Sequence, residues 1–370
     1  MRILFTCGGT GGHINPAIAV AREFQKHHSD CQILFVGAEG GMECNLVPRE
    51  GFAIKTVKIS NFRRKLNWDG ITHNLQSLSN MVNSQKKAKA ILKEFQPDVI
   101  VGTGGYASYP ALKAGAKMGI PTAVHESNAV AGLTTKMVAK KADCILLNFE
   151  DAKADYHNPE RIQVVGMPVR DEFLFGDRQK ARAELGLDER PYIVSCWGSL
   201  GAKVMNEKMA DFMVQDRNGG LNFQMTHATG KLGWTWMPAY LKDNGVANIP
   251  SLKAVEYVYN MPTQMAAADL VIARAGAATI AEICAAGTPC ILVPSPNVVG
   301  DHQMKNAKIL ERHGAAVVLE EANITGESLY QLATELLNHP EDLVKMKRNL
   351  HKLAVVNSAE RIYQAVMSLI

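Results

Sequence analysis

Two glycine-rich turns constrain this chain most, because each stands between a strand pattern and a helix pattern. The first reads GGTGGH at 8–13, directly after the apolar run 2–7. The second reads GSLG at 198–201, directly after the apolar run 191–196. Such a turn presents backbone N–H groups and the positive end of a helix dipole, which suits a phosphate or diphosphate. One turn in each half therefore predicts two α/β domains that share a phosphorylated ligand.

Length and composition agree with two domains and limit the classes of function. The chain has 370 residues, of which 47% are hydrophobic, so each half can bury a core. The net charge of +4 is mild and does not indicate nucleic-acid binding. The seven cysteines include no C-x-x-C pair, and we expect reduced core thiols of a cytoplasmic protein.

The sequence predicts no membrane span and no signal peptide, because it begins at once with a strand pattern. The longest uncharged stretch of the second half, 283–300, is interrupted by Gly287 and by three prolines. Any membrane contact is therefore expected to be peripheral, at the cytoplasmic face of the cell membrane.

Strand and helix patterns alternate along both halves. Strands are predicted at 2–7, 31–36, 98–102, 121–125, 144–147, 162–165, 191–196, 222–226, 252–255, 269–273, 289–293 and 316–319. Helices are predicted at 16–27, 75–95, 107–118, 131–140, 202–213, 262–267, 277–286, 301–312 and 326–337. Continuous apolar strands that alternate with helices favour doubly wound parallel sheets, covered on both faces.

The domain boundaries follow from this alternation. We expect an N-terminal domain at 1–166 and a C-terminal domain at 167–340, with the charged stretch 171–190 as the connection. The last segment, 341–370, is predicted to be helical and to pack back onto the first domain. Ligands of open α/β sheets bind beyond the carboxyl ends of the strands, where the glycine turns also lie.

Eight motifs, two of which contain the glycine turns, stand in the order and spacing of one enzyme family. They are GGTGGH at 8–13, GTGGY at 102–106, HESN at 125–128 with AGLT at 131–134, PVR at 168–170, GSLGA at 198–202, TGK at 229–231, RAGAATIAE at 274–282 and DHQ at 301–303. Over residues 1–320 the chain resembles glycosyltransferase family 28, specifically the N-acetylglucosaminyltransferases that make lipid II for peptidoglycan. The resemblance implies a GT-B fold: two Rossmann-like domains facing across a cleft, with the acceptor on the first domain and UDP-GlcNAc on the second. Met167 and Trp197 depart from the usual pattern of that family.

The resemblance implies a reaction as well. GlcNAc would pass with inversion from UDP-GlcNAc to the C4 hydroxyl of undecaprenyl-diphospho-MurNAc-pentapeptide, which converts lipid I to lipid II. A hydroxyl nucleophile benefits from a base, and the leaving diphosphate needs stabilised charge. The sequence contains no D-x-D motif, so we expect no metal and no cofactor. A helix N-terminus and neutral donors would then stabilise the negative charge that develops on the leaving diphosphate.

Two residues are candidates for the base. His13 ends the first glycine turn, and its near-neutral reference pKa suits proton transfer, although a loop histidine bonded to backbone has the same pattern. Glu126 is the second candidate, and the alternative is a carboxylate that caps the next helix. Thr10, Gly11, Gly12 and Asn128 are expected to contact the transferred sugar or the acceptor.

The remaining candidates belong to the donor side. Ser199 is assigned to the diphosphate, Glu282 to the ribose hydroxyls, Val258 to the uracil and Gln303 to the GlcNAc hydroxyls. Arg170 resembles the donor-binding arginine of the family. The start of the following helix supplies backbone: Ala277, Ala278, Thr279, Ile280 and Ala281.

A basic and aromatic segment at 62–68 is the candidate membrane contact. Its proposed members are Phe62, Arg63, Arg64, Lys65 and Trp68. A cation near an anionic lipid surface contributes about 1 kcal/mol, although a solvated basic loop has the same composition. The expected partners are UDP-GlcNAc, lipid I, an anionic membrane surface and cell-wall or division proteins.

Three other functions remain open from the sequence. A different GT-B glycosyltransferase with a lipid or small-molecule acceptor would share both glycine turns. A UDP-GlcNAc 2-epimerase would share the two-domain plan and the donor but would use no lipid acceptor. A nucleotide-binding module without catalysis is the third.

Overall fold

The computed structural model describes residues 1–59, 68–198 and 200–370, and the side chains of 68–79 lie outside that description. The chain forms two compact units. The first consists of Met1–Val169 together with Val355–Ile370, and the second consists of Arg170–Ala354. Within the described residues, no helix is long and apolar enough to cross a membrane.

The first unit contains a seven-stranded sheet in which every pair of neighbours is parallel. Its strands are β1 (Arg2–Thr6), β2 (Gln32–Ala38), β3 (Ala53–Val57), β4 (Val99–Gly102), β5 (Thr122–Glu126), β6 (Cys144–Leu147) and β7 (Ile162–Val164). They lie in the order β3-β2-β1-β4-β5-β6-β7. Its helices are α1 (Gly11–His27), α2 (Glu43–Arg49), α3 (Trp68–Phe95), α4 (Ser108–Met118) and α5 (Leu133–Ala139).

The second unit contains a six-stranded parallel sheet. Its strands are β8 (Tyr192–Cys196), β9 (Gln224–Ala228), β10 (Leu252–Val255), β11 (Leu270–Ala273), β12 (Cys290–Leu292) and β13 (Val317–Val318). They lie in the order β10-β9-β8-β11-β12-β13, which repeats that of the first six strands. Two parallel sheets covered by helices confirm the predicted fold class.

The part of the second unit that the structure describes contains ten α-helices, two of which precede β8. They are α6 (Asp171–Leu174), α7 (Arg178–Leu185), α8 (Lys203–Gly219), α9 (Gly230–Trp234), α10 (Met237–Asp243), α11 (Met261–Ala267), α12 (Ala277–Ala286), α13 (His302–Arg312), α14 (Gly326–Asn338) and α15 (Pro340–Leu353). The last helix, α16 (Ser358–Met367), belongs to the first unit. The segment 341–370 is thus divided, since α15 contacts α12 and α14 while α16 contacts α1.

The strand alternation of the first sheet places apolar side chains on both faces. Ile3 and Phe5 join one buried cluster, whereas Leu4 between them joins a second cluster. Phe5 stacks on Phe35 with ring centroids 5.3 Å apart. Helices must therefore cover both faces, and the carboxyl ends of the strands are left for the loops that carry function.

The charged stretch 171–190, predicted as the connection, is part of the second unit and contains α6 and α7. Arg178 donates to the carbonyl oxygens of Ala267 and Ala268 at 3.0 and 3.2 Å, and it pairs with Asp269 at 2.7 Å. Arg178 therefore links α7 to the end of α11, although it remains partly exposed.

Candidate active site

The first glycine turn joins β1 to α1 and becomes helical earlier than predicted. Pro16 predicts a helix start, but α1 begins at Gly11 with Thr10 as its N-cap residue. The amides of His13 and Ile14 both donate to the Thr10 carbonyl, at 3.0 and 3.2 Å. The prediction is wrong because these bonds and those of the His13 ring hold the glycine segment in a helical turn. Gly11 and Gly12 thus supply first-turn amides.

The imidazole of His13 is held by the turn from which it projects. Its Nδ1 lies 3.1 Å from the carbonyl oxygen of Gly8 and 3.3 Å from the hydroxyl of Thr10. A carbonyl oxygen can only accept, so Nδ1 carries the proton in this arrangement. The lone pair then belongs to Nε2, as a base requires.

The turn after β4 packs on the same imidazole. Gly104 and Gly105 both have left-handed φ angles, +104° and +79°. A Cβ on Gly104 would lie 2.8 Å from His13 Cδ2, and a Cβ on Gly105 would lie 2.1 Å from the Gly8 oxygen. Only glycine fits at either position, because both the backbone angle and the space exclude a side chain.

The first glycine turn, after β1, is also held by a buried carboxylate that the sequence analysis did not identify. Glu43 on α2 is fully buried, and its Oε1 and Oε2 accept from the amides of Ala38 and Gly9, at 2.7 and 3.3 Å. Three glycines surround its side chain: Gly8, Gly37 and Gly41. A Cβ on any of them would lie 2.4 to 2.5 Å from a Glu43 atom. The signal available in the sequence was an acidic residue two positions after the glycine pair Gly40-Gly41.

Glu126 ends β5 and organises the loop that follows it. One carboxylate oxygen accepts from the backbone and side-chain amides of Asn128, at 3.0 and 3.2 Å. The other accepts from the amide of Gly132, the N-cap residue of α5, at 2.8 Å. Every one of these contacts uses Glu126 as an acceptor, as a carboxylate that shapes a loop does.

His125 precedes Glu126 and is buried. Its Nε2 donates to the Gly166 carbonyl oxygen at 2.8 Å, and its Nδ1 has no hydrogen-bond partner. Burial lowers the pKa of His125, and the hydrogen bond to Gly166 and the Glu126 carboxylate only partly oppose that shift. Burial therefore favours the neutral form of His125.

The second glycine turn, between β8 and α8, is anchored by backbone instead of a carboxylate. Gly198 and Gly201 have φ angles of +85° and +77°. A Cβ on Gly201 would lie 2.1 Å from the Thr229 oxygen, so this turn touches the loop after β9. Asn206 on α8 adds a bond from its side-chain amide to the same oxygen at 2.7 Å. Ser199 lies outside the described residues.

Trp197 stands immediately before that turn and is buried. The guanidinium of Arg274 lies over its indole, 5.4 Å from the ring centroid. Arg274 also donates to the carbonyl oxygens of Val293 and Pro294, at 3.0 and 3.2 Å, and pairs with Glu321. The unusual tryptophan therefore forms one side of a fixed arginine that ties together the ends of β8, β11 and β12.

The helix α12 follows β11 and carries most of the donor candidates. Its N-cap residue is Gly276, and its first turn presents the amides of Ala277, Ala278 and Thr279. Ile280 and Ala281 continue that helix. Glu282 is the one carboxylate on it.

The Glu282 residue is half-buried by its accessible surface, and protein atoms surround its carboxylate closely enough to shift its pKa. Burial raises its pKa to about 7, and the Arg170 guanidinium opposes that shift. Glu282 also adds to the effect of burial in raising the pKa of the Cys196 thiol to about 12, which places the carboxylate near the end of β8. Arg170 itself lies over the ring of Phe173, 5.2 Å from the centroid.

Val258 lies in the loop after β10, and Gln303 is the second residue of α13 in the same unit. Val258 is buried after β10 and lines a cavity of about 440 Å³ together with Tyr257 and Tyr259. The side-chain oxygen of Gln303 accepts from the Ser295 amide at 2.8 Å. This bond engages the side-chain oxygen and identifies the NH₂ group as the donor end of the Gln303 amide.

The membrane candidates fall outside most of the described structure. Phe62, Arg63, Arg64 and Lys65 lie outside the described residues, and Trp68 is described only as the first residue of α3. For these residues the membrane assignment stays a prediction.

One cluster in the described part of the chain has the composition of a metal site. Glu23 and His27 on α1 meet Glu360 on α16, with a distance of 2.8 Å from His27 Nε2 to Glu360. His27 lies at the opposite end of α1 from His13, and its ring stacks on Tyr363 at 4.2 Å. Exposed pairing of this kind is typical of a helix–helix contact, and it is unrelated to the glycine turns.

Family models match both units. The glycosyltransferase family 28 N-terminal domain matches residues 3–147, and the family 28 C-terminal domain matches residues 193–362. The chain belongs to glycosyltransferase family 28.

Curated relatives match this chain over its full length. A Thermoanaerobacter sp. protein is 40% identical over 370 residues, covering 100% of both chains. A Bacillus pumilus protein is 36% identical over 367 residues, covering 99% of this chain and 98% of its own. Both are named UDP-N-acetylglucosamine--N-acetylmuramyl-(pentapeptide) pyrophosphoryl-undecaprenol N-acetylglucosamine transferase. The family 28 chain described here is therefore a glycosyltransferase, as its motifs predicted.

Solved structures support the same family 28 fold. MurG from Acinetobacter baumannii is 27% identical, with a TM-score of 0.76 and 99% of each chain covered. UDP-GlcNAc 2-epimerase from Neisseria meningitidis, bound to UDP-GlcNAc, has a TM-score of 0.67 at 12% identity, with 100% of each chain covered. The second likeness concerns the fold alone.

Proposed function

We propose that this glycosyltransferase moves GlcNAc from UDP-GlcNAc to the C4 hydroxyl of lipid I, with inversion, and so forms lipid II. The observation that carries the proposal is the full-length match, at 36–40% identity, to relatives named for that transfer. The acceptor hydroxyl oxygen bonds to C1 of GlcNAc, the bond from C1 to the diphosphate breaks, and UDP leaves. The hydroxyl proton needs an acceptor, and the diphosphate needs donors.

The first unit, through residues 1–166, is proposed to bind the acceptor and supply the base. His13 fits the base because its Nδ1 proton is directed to the Gly8 oxygen, which leaves the lone pair on Nε2. Thr10, Gly11, Gly12 and Asn128 lie at strand ends of the same unit and are proposed to bind sugar or diphosphate oxygens. Glu126 already accepts three N–H bonds, so its geometry favours holding the Asn128 loop over taking the proton.

The second unit is proposed to bind UDP-GlcNAc. Glu282 would accept from the ribose hydroxyls, while Arg170 and the first-turn amides of α12 would face the diphosphate. Ser199 would add a hydroxyl donor, Val258 a main-chain contact to uracil, and Gln303 its side-chain nitrogen to a GlcNAc hydroxyl. Neutral donors and one arginine then stabilise the leaving charge without a metal or cofactor.

The membrane surface is proposed to be reached peripherally, through the segment 62–68 of the first unit. Three cations beside two aromatic side chains suit an anionic interface. Binding there would hold the enzyme at the cytoplasmic face, where cell-wall or division proteins are further candidate partners.

Product analysis tests the proposal against the epimerase that shares its fold. UDP-GlcNAc is incubated with and without a soluble lipid I analogue. Transfer of GlcNAc that requires the analogue supports the proposal. Formation of ManNAc and UDP without the analogue would assign the epimerase function, and transfer only to unrelated acceptors would assign another glycosyltransferase. Binding of UDP-GlcNAc with neither product would leave a binding module.

A further inference from the structure

The peptide group between Gly8 and Gly9 joins His13 to Glu43, a residue to which the proposed function gives no role. Its carbonyl oxygen, on Gly8, accepts from His13 Nδ1 at 3.1 Å. Its N–H, on Gly9, donates to Glu43 Oε2 at 3.3 Å. One rigid plane therefore has the imidazole on one side and the buried carboxylate on the other.

The carboxylate is built into that position. Glu43 is fully buried, and its second oxygen accepts from the Ala38 amide at 2.7 Å, at the end of β2. The absence of side chains on Gly8, Gly37 and Gly41 makes room for it, because a Cβ on any of them would collide with Glu43. A buried carboxylate without hydrogen bonds would be costly, so both amide bonds matter to this arrangement.

The same bonds decide what the Gly9 amide does. An amide at a glycine turn is an obvious donor to a diphosphate, but this one is directed to the carboxylate. The amides of His13 and Ile14 donate to the Thr10 carbonyl, so the candidate anion-binding amides of the turn are those of Gly11 and Gly12. By accepting from the Gly9 amide, Glu43 uses that amide to fix the loop and leaves ligand binding to other amides of the turn.

We propose that Glu43 is a positioning residue for His13 and acts through the peptide group between Gly8 and Gly9. The carboxylate holds the N–H, so the carbonyl of the same plane stays directed to His13 Nδ1. A carbonyl there keeps the proton on Nδ1 and the lone pair on Nε2. A negative charge on the N–H side also polarises the peptide and strengthens its carbonyl as an acceptor. The inference rests on the proposed function, in which His13 is the base.

Glu43→Gln is the informative variant, because glutamine has nearly the same shape. Its oxygen can still accept from one amide, but its NH₂ group cannot accept from the other. Exposed Glu39, four residues away in the loop after β2, provides the matched control as Glu39→Gln. Both changes remove one negative charge from the same unit, and only the first touches the peptide group between Gly8 and Gly9.

The decisive readout is the tautomer of His13, measured by ¹⁵N NMR of the full chain with labelled histidine. Comparison with His13→Ala assigns the signal. Wild type and Glu39→Gln should show the proton on Nδ1, and Glu43→Gln should shift the population to Nε2. A wild-type His13 with the proton on Nε2 overturns the inference, even if the variant fails to fold. An unchanged tautomer in folded Glu43→Gln overturns it as well.

Kinetics separate this inference from the proposed function. Glu43→Gln should lower kcat about 10²-fold, the scale of a misplaced catalytic group, and leave the KM for UDP-GlcNAc unchanged. A lower kcat with an equally raised donor KM would indicate general disruption and would count against positioning. If His13→Ala is fully active while the tautomer still depends on Glu43, the base assignment fails but the Glu43–peptide–His13 linkage stands.

Discussion

The two units use the same strand order but hold their glycine turns by different means. In the first unit, the Gly9 amide of the turn after β1 donates to the buried Glu43 carboxylate, and the Gly8 carbonyl accepts from the His13 ring. In the second, the turn after β8 rests on backbone, with Gly201 against the Thr229 carbonyl. One topology thus supports a turn with titratable groups and a turn with neutral contacts.

This difference suggests a division of labour. His13, His125 and the two loop-shaping carboxylates, Glu43 and Glu126, lie in the first unit, on the elements around the ends of β1, β2 and β5. The second unit holds a helix start and an arginine-fixed set of loops, with Glu282 as the carboxylate on α12. Proton transfer is therefore expected of the first unit, and donor binding is expected of the second.

The largest expected effect concerns His13. His13→Ala should lower kcat by about 10²- to 10⁴-fold, the usual contribution of a general base, while donor affinity stays unchanged. Turnover at saturating acceptor analogue is the measurement, and exposed His157→Ala is the control. Near-normal turnover would mean that His13 is neither base nor essential positioner, and the comparison of the units would lose its catalytic half.

A second effect should also be confined to the first unit. Replacing Arg63, Arg64 and Lys65 with serine should weaken binding to anionic vesicles by about 10²-fold at low salt, since each cation contributes about 1 kcal/mol. Co-sedimentation is the measurement. Glutamine at Lys86, Lys87 and Lys89, exposed on α3, removes the same charge from a helix and should have little effect. Sedimentation like wild type in the serine variant would place the contact elsewhere.

The third expectation concerns pH and the second unit. Glu282 has a pKa raised to about 7, so it is protonated below neutral pH and ionised above it. The carboxylate is the better acceptor for ribose hydroxyls, so affinity should fall as pH drops through 7, about tenfold from pH 8 to pH 6. UDP-GlcNAc serves better than UDP here, because a terminal phosphate itself titrates near pH 6. Glu282→Gln should bind with a flat pH profile, and an equal slope in that variant would exclude Glu282 as the cause.

The smallest expected effect is that of a chelator. Turnover should persist in excess EDTA, because the chain has no D-x-D motif and the proposed donors are neutral or cationic protein groups. Complete loss of turnover that magnesium or manganese restores would contradict this, and it would require a metal at the donor diphosphate.

The fold was largely accessible from local patterns, and the exceptions have physical reasons. Apolar runs predict β1 and β8 because a strand covered on both faces needs continuous apolar residues. The edge strand β3 is half-exposed and includes Lys55, so its pattern is weak. The helix α2 contains Pro48, which is typical of a loop.

The candidate site was accessible only where a motif is local in sequence. The glycine turns and the α12 start are contiguous motifs, whereas the role of Glu43 depends on glycines from β2, its loop and the turn after β1. No spacing rule along the chain reveals that packing. The tautomer of His13 is equally nonlocal, because it depends on which atom of the turn faces the ring.

Parallel calorimetric titrations with UDP-GlcNAc test the division between the units most directly. Wild type, His13→Ala and Glu282→Ala are compared at pH 8. We expect His13→Ala to bind like wild type and Glu282→Ala to bind roughly 10- to 150-fold more weakly, the loss of about 1.5–3 kcal/mol for hydrogen bonds to a charged group. Unchanged affinity in Glu282→Ala, or a comparable loss in His13→Ala, would contradict the account.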